Sequence, residues 1–268
     1  MPADLGMTSP RLLLEALDRF VRPSTFPLAV RMVPKGEGLP EGARRPRRDL
    51  GIETATCQAI GIARRYGWTI AVEREDIPCP LTRVALGFDP PVPAYADGHL
   101  CEGMYTADLA AGARTEASVP KFPLGAYRAV LIAPLERTEF EPTHFVLYGN
   151  AAQVMLLVCA ALHRRGGRLS SSFMGRIDCA DILVETVRTE SPQVILPCYG
   201  DRVYAGTEDH EMAFAGPWAS AAEIAEALPA LHRGGVRYPI PTFLRYTPGF
   251  PKKYAALAES MRRGEESP

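Results

Sequence analysis

Strand-like and helix-like segments follow one another along this sequence without the strict β-α-β alternation that produces a doubly wound parallel sheet. Two apolar segments, AYRAVLIAPL and THFVLYG, come in close succession, and both predict strands. The next segment, NAAQVMLLVCAALHRRGG, predicts a helix with Asn150 as its N-cap and Gly166 at its end. We therefore expect an α+β (mixed α/β) fold, with one domain around a central mixed β-sheet flanked by helices.

Other segments fit the same fold. SPRLLLEALDRFV predicts a helix capped by Ser9, and ETATCQAIGIARRYG predicts a helix that ends at Gly67. RLSSSFMGRIDCADILVETVRT predicts a strand that passes into a helix, and SAAEIAEALPALHRGG predicts a helix capped by Ser220. No break in composition divides the chain. We therefore expect a single domain over residues 1–260 and a frayed tail over residues 261–268.

Charge and hydropathy limit the classes of partner. The 268 residues carry a net charge of −1, which does not support nucleic-acid binding, and the basic run Arg44–Arg48 is expected to be a solvated loop. The N-terminal segment lacks the basic start of a signal peptide. The longest apolar run, VMLLVCAAL, is about half of the roughly 20 residues that span a bilayer. We therefore expect a cytoplasmic protein that does not enter a membrane.

The cysteines are the residues with the most chemical potential. The chain has six: Cys57, Cys79, Cys101, Cys159, Cys179 and Cys198. Cytoplasmic thiols are normally reduced, and no C-x-x-C pair is present. Cys159 lies in the most apolar helix and is expected to be a core residue, whereas the context of Cys101 fits either use. The other four lie at the edges of predicted elements, where backbone N–H groups can bond to sulfur. Their spacing alone leaves both structural and metal-binding roles open.

An ordered series of segments covers most of the chain, from about Leu12 to Leu231. Its members are PLAVRMV, CQAIGIARRYG, EDIPCPLTRVALGF, LGAYRAVLIAPLERTEFEPTHFVLYGNAAQVMLLVCAAL, GGRLSSSFMGRIDCADI, PCYGDR and DHEMAFAGP. This series resembles the uncharacterised ArCR family, domain of unknown function 169. The family pattern has cysteines that match Cys57, Cys79, Cys179 and Cys198, and it has none at the other two positions.

One segment departs from the family pattern. Where the family often reads Gly-Cys-Tyr-Gly-Cys-Arg, this chain has PCYGDR, so that Pro197 replaces the glycine and Asp201 replaces the second cysteine. The change argues against disulfide exchange between neighbouring thiols, and it leaves Cys198 in place.

The resemblance supports a common role for the four matching cysteines, although the family has no settled activity. Four thiolates are what a [4Fe–4S] cluster requires, and they also suit a tetrahedral zinc ion. We favour the cluster, because structural zinc usually binds closely spaced cysteine pairs, which this chain lacks. Cys101 is the expected substitute if one of the four is not a ligand. The alternatives to a [4Fe–4S] cluster are therefore zinc or no metal.

Four further residues are candidates for substrate binding. Arg202 follows Cys198 closely and could neutralise a cluster or bind an anion, and Arg31 on the first strand could face the same site. Asp181 could act there or cap the helix that follows it. Tyr199 could donate a hydrogen bond to sulfur or pack.

The sequence therefore predicts a cytoplasmic iron–sulfur protein that acts in electron transfer or in a reductive reaction on a small molecule. Its partners would be a small-molecule substrate or a redox partner protein, and a homo-oligomer is compatible with the sequence. One alternative is a metal-free or zinc-containing module that binds a small molecule and has structural cysteines. Another is a thiol-dependent enzyme that uses Cys198. The sequence identifies no catalytic residue.

Overall fold

Helices and strands follow one another irregularly, and they surround a single six-stranded sheet. The computed structural model describes residues 10–240 and 249–264. The strands are β1 (Leu28–Pro34), β2 (Ile70–Glu73), β3 (Tyr127–Pro134), β4 (His144–Asn150), β5 (Gln193–Ile195) and β6 (Glu211–Pro217). The helices are α1 (Pro10–Phe20), α2 (Thr56–Tyr66), α3 (Pro80–Ala85), α4 (Pro93–Ala96), α5 (Leu109–Ser118), α6 (Ala151–Leu162), α7 (Asp178–Ala180), α8 (Thr186–Thr189), α9 (Tyr199–Ala205), α10 (Ala221–Arg233) and α11 (Lys252–Arg263). The predicted α+β class and the single domain around one sheet are confirmed.

The strands lie in the order β2-β3-β1-β4-β6-β5, and all five pairings between them are antiparallel. The sequence predicts a sheet with both parallel and antiparallel pairings, whereas the observed pairings between these strands are all antiparallel. β3 and β4 are successive strands, yet β1 lies between them, with Leu28 opposite both Pro134 and Val146. The two strand-like segments that suggested the fold are therefore separated by a strand from earlier in the chain.

Helices cover both faces of the sheet. Alternate strand residues such as Val30 and Val146 point to one face, where α2, α3 and the helical segment from α7 to α8 pack. The intervening residues, such as Ala29 and Phe145, point to the other face and are covered by α1, α6 and α10. The first face carries the candidate site.

Predicted helix ends are partly confirmed. The Asn150 side chain caps α6 by accepting the N–H groups of Ala152 and Gln153 at 3.0 Å each, and Gly67 ends α2 with a φ of 70°. Ser220 is the N-cap residue of α10, as predicted, but its hydroxyl does not bond to the helix; it donates to the Pro217 carbonyl oxygen at 2.8 Å. Ser9 lies outside the described residues.

Two other expectations differ from the structure. The strand predicted before α7 is absent, because residues 168–177 form no regular structure. The Ser171 hydroxyl accepts a hydrogen bond from the Val194 N–H on β5 at 2.9 Å, where a neighbouring strand would have supplied a backbone carbonyl. Helix α11 continues to Arg263 and ends at Gly264, so regular structure extends into the predicted tail. The domain boundary stays a prediction. None of the helices described is long and apolar enough to cross a membrane.

Candidate functional site

The four cysteines predicted as ligands all lie at the N-termini of helices. Cys57 is the second residue of α2, Cys79 precedes α3 as its N-cap, Cys179 is the second residue of α7, and Cys198 is the N-cap residue of α9. The first N–H groups of a helix lack partners within the helix, and this end carries partial positive charge. The helix N-termini by themselves favour negative charge on these sulfur atoms, whereas burial opposes it at Cys57, Cys179 and Cys198.

The four side chains share one neighbourhood although they come from distant parts of the sequence. The Cys57 thiol interacts electrostatically with Cys198 and Cys179, and Cys179 interacts with Cys79. The Cys179 sulfur lies 3.3 Å from the Thr82 hydroxyl oxygen on α3. Cys179 is buried and the other three are half-buried. Electrostatic contacts therefore connect the four thiols in series, from Cys198 to Cys57, from Cys57 to Cys179 and from Cys179 to Cys79.

Protonated thiols are favoured at this site. Burial raises the pKa of Cys57 and of Cys179, and it raises the pKa of Cys198 to about 11. The nearby Asp178 carboxyl raises all three pKa values further. The backbone N–H groups of Asp178 and Asp201 act in the opposite direction on Cys198, but they do not offset its burial.

Two buried carboxyl groups lie against the cysteines. Burial raises the pKa of Asp178, and neither of its oxygens has a hydrogen-bond partner of ordinary geometry, although Cys198 and Asp201 lie near enough to lower this pKa partly. Burial, followed by the charge of Asp178, raises the pKa of Asp201 to about 7. One Asp201 oxygen accepts hydrogen bonds from Thr207 at 2.9 Å and Tyr148 at 3.3 Å. Close like charges cannot both ionise cheaply, so the pair retains protons near neutral pH.

A buried arginine lies behind this acidic pair. Arg64 on α2 donates to the two Glu211 carboxylate oxygens at 2.7 and 3.0 Å and to the Thr207 hydroxyl at 3.0 Å. Its guanidinium carbon lies 4.1 Å from the centroid of the Tyr148 ring. Thr207 and Tyr148 thus contact both Arg64 and Asp201, and they connect α2 to β4, β6 and α9.

The backbone is strained immediately before two of the site residues. Ile177 has φ 50° and ψ 43°, a left-handed conformation that β-branched residues rarely adopt. The conformation costs on the order of 1–2 kcal/mol. Asp178 and Cys179 follow directly, and α7 then continues through a π-helical turn, Asp181–Glu185, into α8. Left-handed strain and π-turns both concentrate at functional sites.

The two predicted substrate-binding arginines are held by other groups. Arg31 points to the sheet face opposite the cysteines, where it pairs with Glu37 at 2.7 Å and donates to the Glu141 carbonyl oxygen at 2.7 Å. Arg202 donates to the carbonyl oxygens of Glu208 and Glu211 at 2.5 and 3.4 Å. The structure therefore does not bring Arg31 to the cysteines, and it uses Arg202 to shape the turn after α9.

The other two candidates lie at the edge of the site. Tyr199 follows Cys198 and is largely exposed. Asp181 does not cap a helix; it begins the π-helical turn and lines a cavity of about 410 Å³ with Arg188 among its neighbours. Burial, followed by the charge of Glu185, raises the pKa of Asp181 to about 7.

The remaining cysteines are separate from the four. Cys101 is fully buried and donates to a Glu116 oxygen at 3.3 Å. Cys159 lies half-buried on α6, which covers the opposite face of the sheet. Within residues 10–240 and 249–264, no group of three or more His, Cys, Asp or Glu side chains is arranged to hold a metal ion.

Several residues of the site were not predicted. The position of Asp178 next to Cys179 was a usable signal, because it stands beside a predicted ligand. Arg64 and Tyr148 gave no such signal: one lies in the last turn of a helix and the other within an apolar strand. Their contact with each other is visible only in the folded structure.

Comparison with known proteins shows what most of this chain is similar to. Residues 16–227 match the family model for domain of unknown function 169, described as uncharacterised ArCR. The chain is 30% identical over 205 residues to the uncharacterized protein MJ0308 of Methanocaldococcus jannaschii. The match covers 75% of this chain and 85% of that protein. No solved structure matches the chain.

Proposed function

The chain belongs to the family of uncharacterised ArCR proteins, and we propose that it is an iron–sulfur protein. Cys57, Cys79, Cys179 and Cys198 would hold a [4Fe–4S] cluster. The cluster would supply one-electron chemistry, either for transfer to a redox partner protein or for the reduction of a small molecule. One observation supports the proposal above others: four cysteines from separate segments lie at helix N-termini, and electrostatic contacts connect their thiols.

The donor set fits a cluster better than a single ion. Thiolates around one zinc ion converge on a single centre. In a cubane cluster each thiolate binds a different iron atom, so the four sulfur atoms lie farther apart. Electrostatic contacts join Cys57 with Cys198 and with Cys179, and Cys179 with Cys79. The preference for a cluster over zinc rests on the sequence, which lacks the closely spaced cysteine pairs of structural zinc sites.

The surrounding residues suit an anionic group. Backbone N–H groups of Asp178 and Asp201 face the Cys198 sulfur and act to stabilise its negative form. Hydrogen bonds of this kind, together with burial, help set the reduction potential of a cluster. The partial positive charge of the helix N-termini acts in the same direction. These N–H groups and helix ends would offset part of the cost that burial and the Asp178 carboxyl place on negative sulfur.

A reactive thiol is less well supported. The nucleophile in such enzymes is a thiolate whose pKa is lowered by its surroundings. Here burial raises the pKa of Cys198 to about 11, and the Asp178 carboxyl contributes to the increase. The remaining alternative is a metal-free binding module, and metal analysis distinguishes it from a cluster protein.

The proposal is tested by purifying the full chain without oxygen and reconstituting it with iron and sulfide. We expect about four iron atoms per chain and the visible absorption of a cluster. Serine substitutions at Cys57, Cys79, Cys179 and Cys198 should each reduce the iron content. The matched control, Cys159→Ser, should retain it, because that cysteine lies across the sheet. A colourless, iron-free wild-type protein would refute the proposal, and stoichiometric zinc in its place would favour the zinc alternative.

A further inference from the structure

A cavity of about 350 Å³ opens beside helix α3, next to the Cys79 end of the candidate site. Its wall includes Pro80, which follows Cys79 directly, together with Arg83 and Val84 from the same helix. The other lining residues come from the turn before α3 and from the segment after it: Arg74, Asp89, Pro90, Val92, Ala94, Tyr95 and Leu100. Small-molecule sites are typically cavities of this kind, lined mainly by apolar side chains with a few polar groups.

The charged residues of the cavity meet at one carboxylate. The Arg74 Nε atom donates to one Asp89 oxygen at 2.5 Å, and the Arg83 Nε atom lies 2.8 Å from the other. The second contact is an ion pair without the alignment of a hydrogen bond. Glu73 and Glu75 flank Arg74 in the chain, but neither lines the cavity. Two guanidinium groups therefore share one carboxylate, and the lining carries one positive charge in excess.

The terminal nitrogens of both arginines are available to a ligand. The Arg83 side chain is 30% exposed, and it contacts only Asp89 among the charged residues that the structure describes. Its Nη1 and Nη2 atoms keep contact with solvent, unlike its buried Nε atom. Arg74 is 53% exposed and likewise uses only its Nε atom. The cavity therefore offers accessible guanidinium donors, which match the planar geometry of a carboxylate.

The remaining lining of the cavity is apolar and partly uncovered. Val92 and Leu100 are 57% and 41% exposed, although both are aliphatic. Contact with an apolar group would remove this surface from water, which is favourable in proportion to the area covered. A ligand that satisfies the whole cavity therefore combines a single negative charge with an apolar body.

We propose that this cavity binds a small carboxylic acid in its ionised form. The carboxylate accepts hydrogen bonds from the free nitrogens of Arg83 and Arg74, and an aliphatic tail covers Val92 and Leu100. Asp89 holds the two guanidinium groups close together, so one anion reaches both of them. This inference does not rest on the iron–sulfur proposal, because none of these residues is a proposed cluster ligand.

The test is calorimetric titration of the full chain with hexanoate, acetate and hexylammonium, at constant ionic strength and near neutral pH. We expect saturable binding of one hexanoate per chain. Acetate should bind about tenfold or more weakly, because it lacks the tail that the apolar wall covers. Hexylammonium has the tail but the wrong charge and should not bind. The proposal is wrong if hexanoate gives no saturable heat, or if acetate or hexylammonium binds equally well.

Arg83→Gln tests the charged part of the cavity. The variant removes the guanidinium but keeps a polar side chain, and Asp89 retains Arg74 as its partner. Hexanoate binding should weaken by about tenfold or more, because a charge-assisted bidentate contact is lost. Arg164→Gln is the matched control at an exposed arginine that pairs with Glu226, and it should leave binding unchanged.

Val92→Ser tests the apolar part, and it decides the question if Arg83→Gln does not fold. Val92 is the N-cap residue of α4, where serine is favoured, so the variant should keep its fold. It should weaken hexanoate several-fold and leave acetate unchanged, whereas Leu124→Ser, at an exposed leucine outside the cavity, should change neither. Hexanoate affinity unchanged in Val92→Ser would overturn the proposal. Failure of the iron–sulfur proposal would appear instead as missing iron, with these affinities unaffected.

Discussion

Gly61 on α2 lies so close to Ala205 on α9 that a Cβ atom at position 61 would stand 2.9 Å from the Ala205 carbonyl oxygen. No larger side chain fits this contact without movement of the backbone. Helix α2 carries Cys57 near its start, and α9 begins directly after Cys198. The close approach of these helices therefore determines how the two thiols are placed relative to each other.

Gly61→Ala should destabilise the protein and loosen the cysteine site. Overpacking against backbone costs about 1–3 kcal/mol, which equals or exceeds the roughly 1 kcal/mol that alanine gains in helix propensity. We expect a lower free energy of unfolding in urea and lower iron retention. Gly200→Ala is the control for stability, because its new Cβ would meet the Cys198 sulfur at 3.7 Å and the Tyr204 ring at 3.8 Å, both ordinary contacts. Equal stability of the two variants would contradict this account.

Local signals predicted much of this site. Pro80 begins α3 and so marks the helix end that carries Cys79. Gly67 marks the far end of α2, whereas its start, next to Cys57, has no capping side chain at Ala55. The grouping of the four cysteines came from the family resemblance, since spacing alone left their role open.

Other parts depend on contacts that no local signal encodes. Asp178 meets Asp201 only because α7 and α9 pack on the same sheet face, and Arg64 meets Glu211 across most of the chain. Arg31 was misplaced for a related reason. Side chains along β1 alternate between the two faces of the sheet. The sequence does not show which of these faces carries the cysteines.

Arg64→Met should strongly destabilise the fold. It would leave Glu211 buried without its cation, and removing one partner of a buried pair costs about 3–5 kcal/mol. Hydrogen bonds from Arg64 now keep the pKa of Glu211 low even though burial by itself would raise it. Urea denaturation measures the loss. Arg164→Met, which breaks the exposed pair with Glu226, should cause no measurable change, and a similar loss in both variants would argue against the buried pair.

His144 should make stability depend on pH. It is completely buried on β4; its Nδ1 atom lies 2.9 Å from the Thr143 hydroxyl oxygen, and its Nε2 atom has no partner. Burial lowers its pKa to about 3, whereas an unfolded chain has a value near 6.5. Between these values the unfolded state binds a proton that the folded state does not, so stability falls as pH falls below about 6.5.

The contribution of His144 can be isolated with His144→Asn, which does not titrate and keeps an acceptor for Thr143. Between pH 7 and pH 5 the wild-type protein should lose about 2 kcal/mol more of its unfolding free energy than the variant does. Urea denaturation at several pH values gives both curves. Parallel curves would show that His144 does not titrate differently on folding.

Ile177 provides a test of the strain beside Cys179. The side chain is 6% exposed, so Ile177→Ala and Ile177→Gly both lose its packing. Glycine relaxes at φ 50° and alanine does not, so the glycine variant should be the more stable by about 1 kcal/mol. At Val187 in α8 the order should reverse by about the same amount, because alanine favours a helix interior. If alanine is equal or better at position 177, the turn that presents Asp178 and Cys179 is not held under strain, and its geometry gives no support to a functional role.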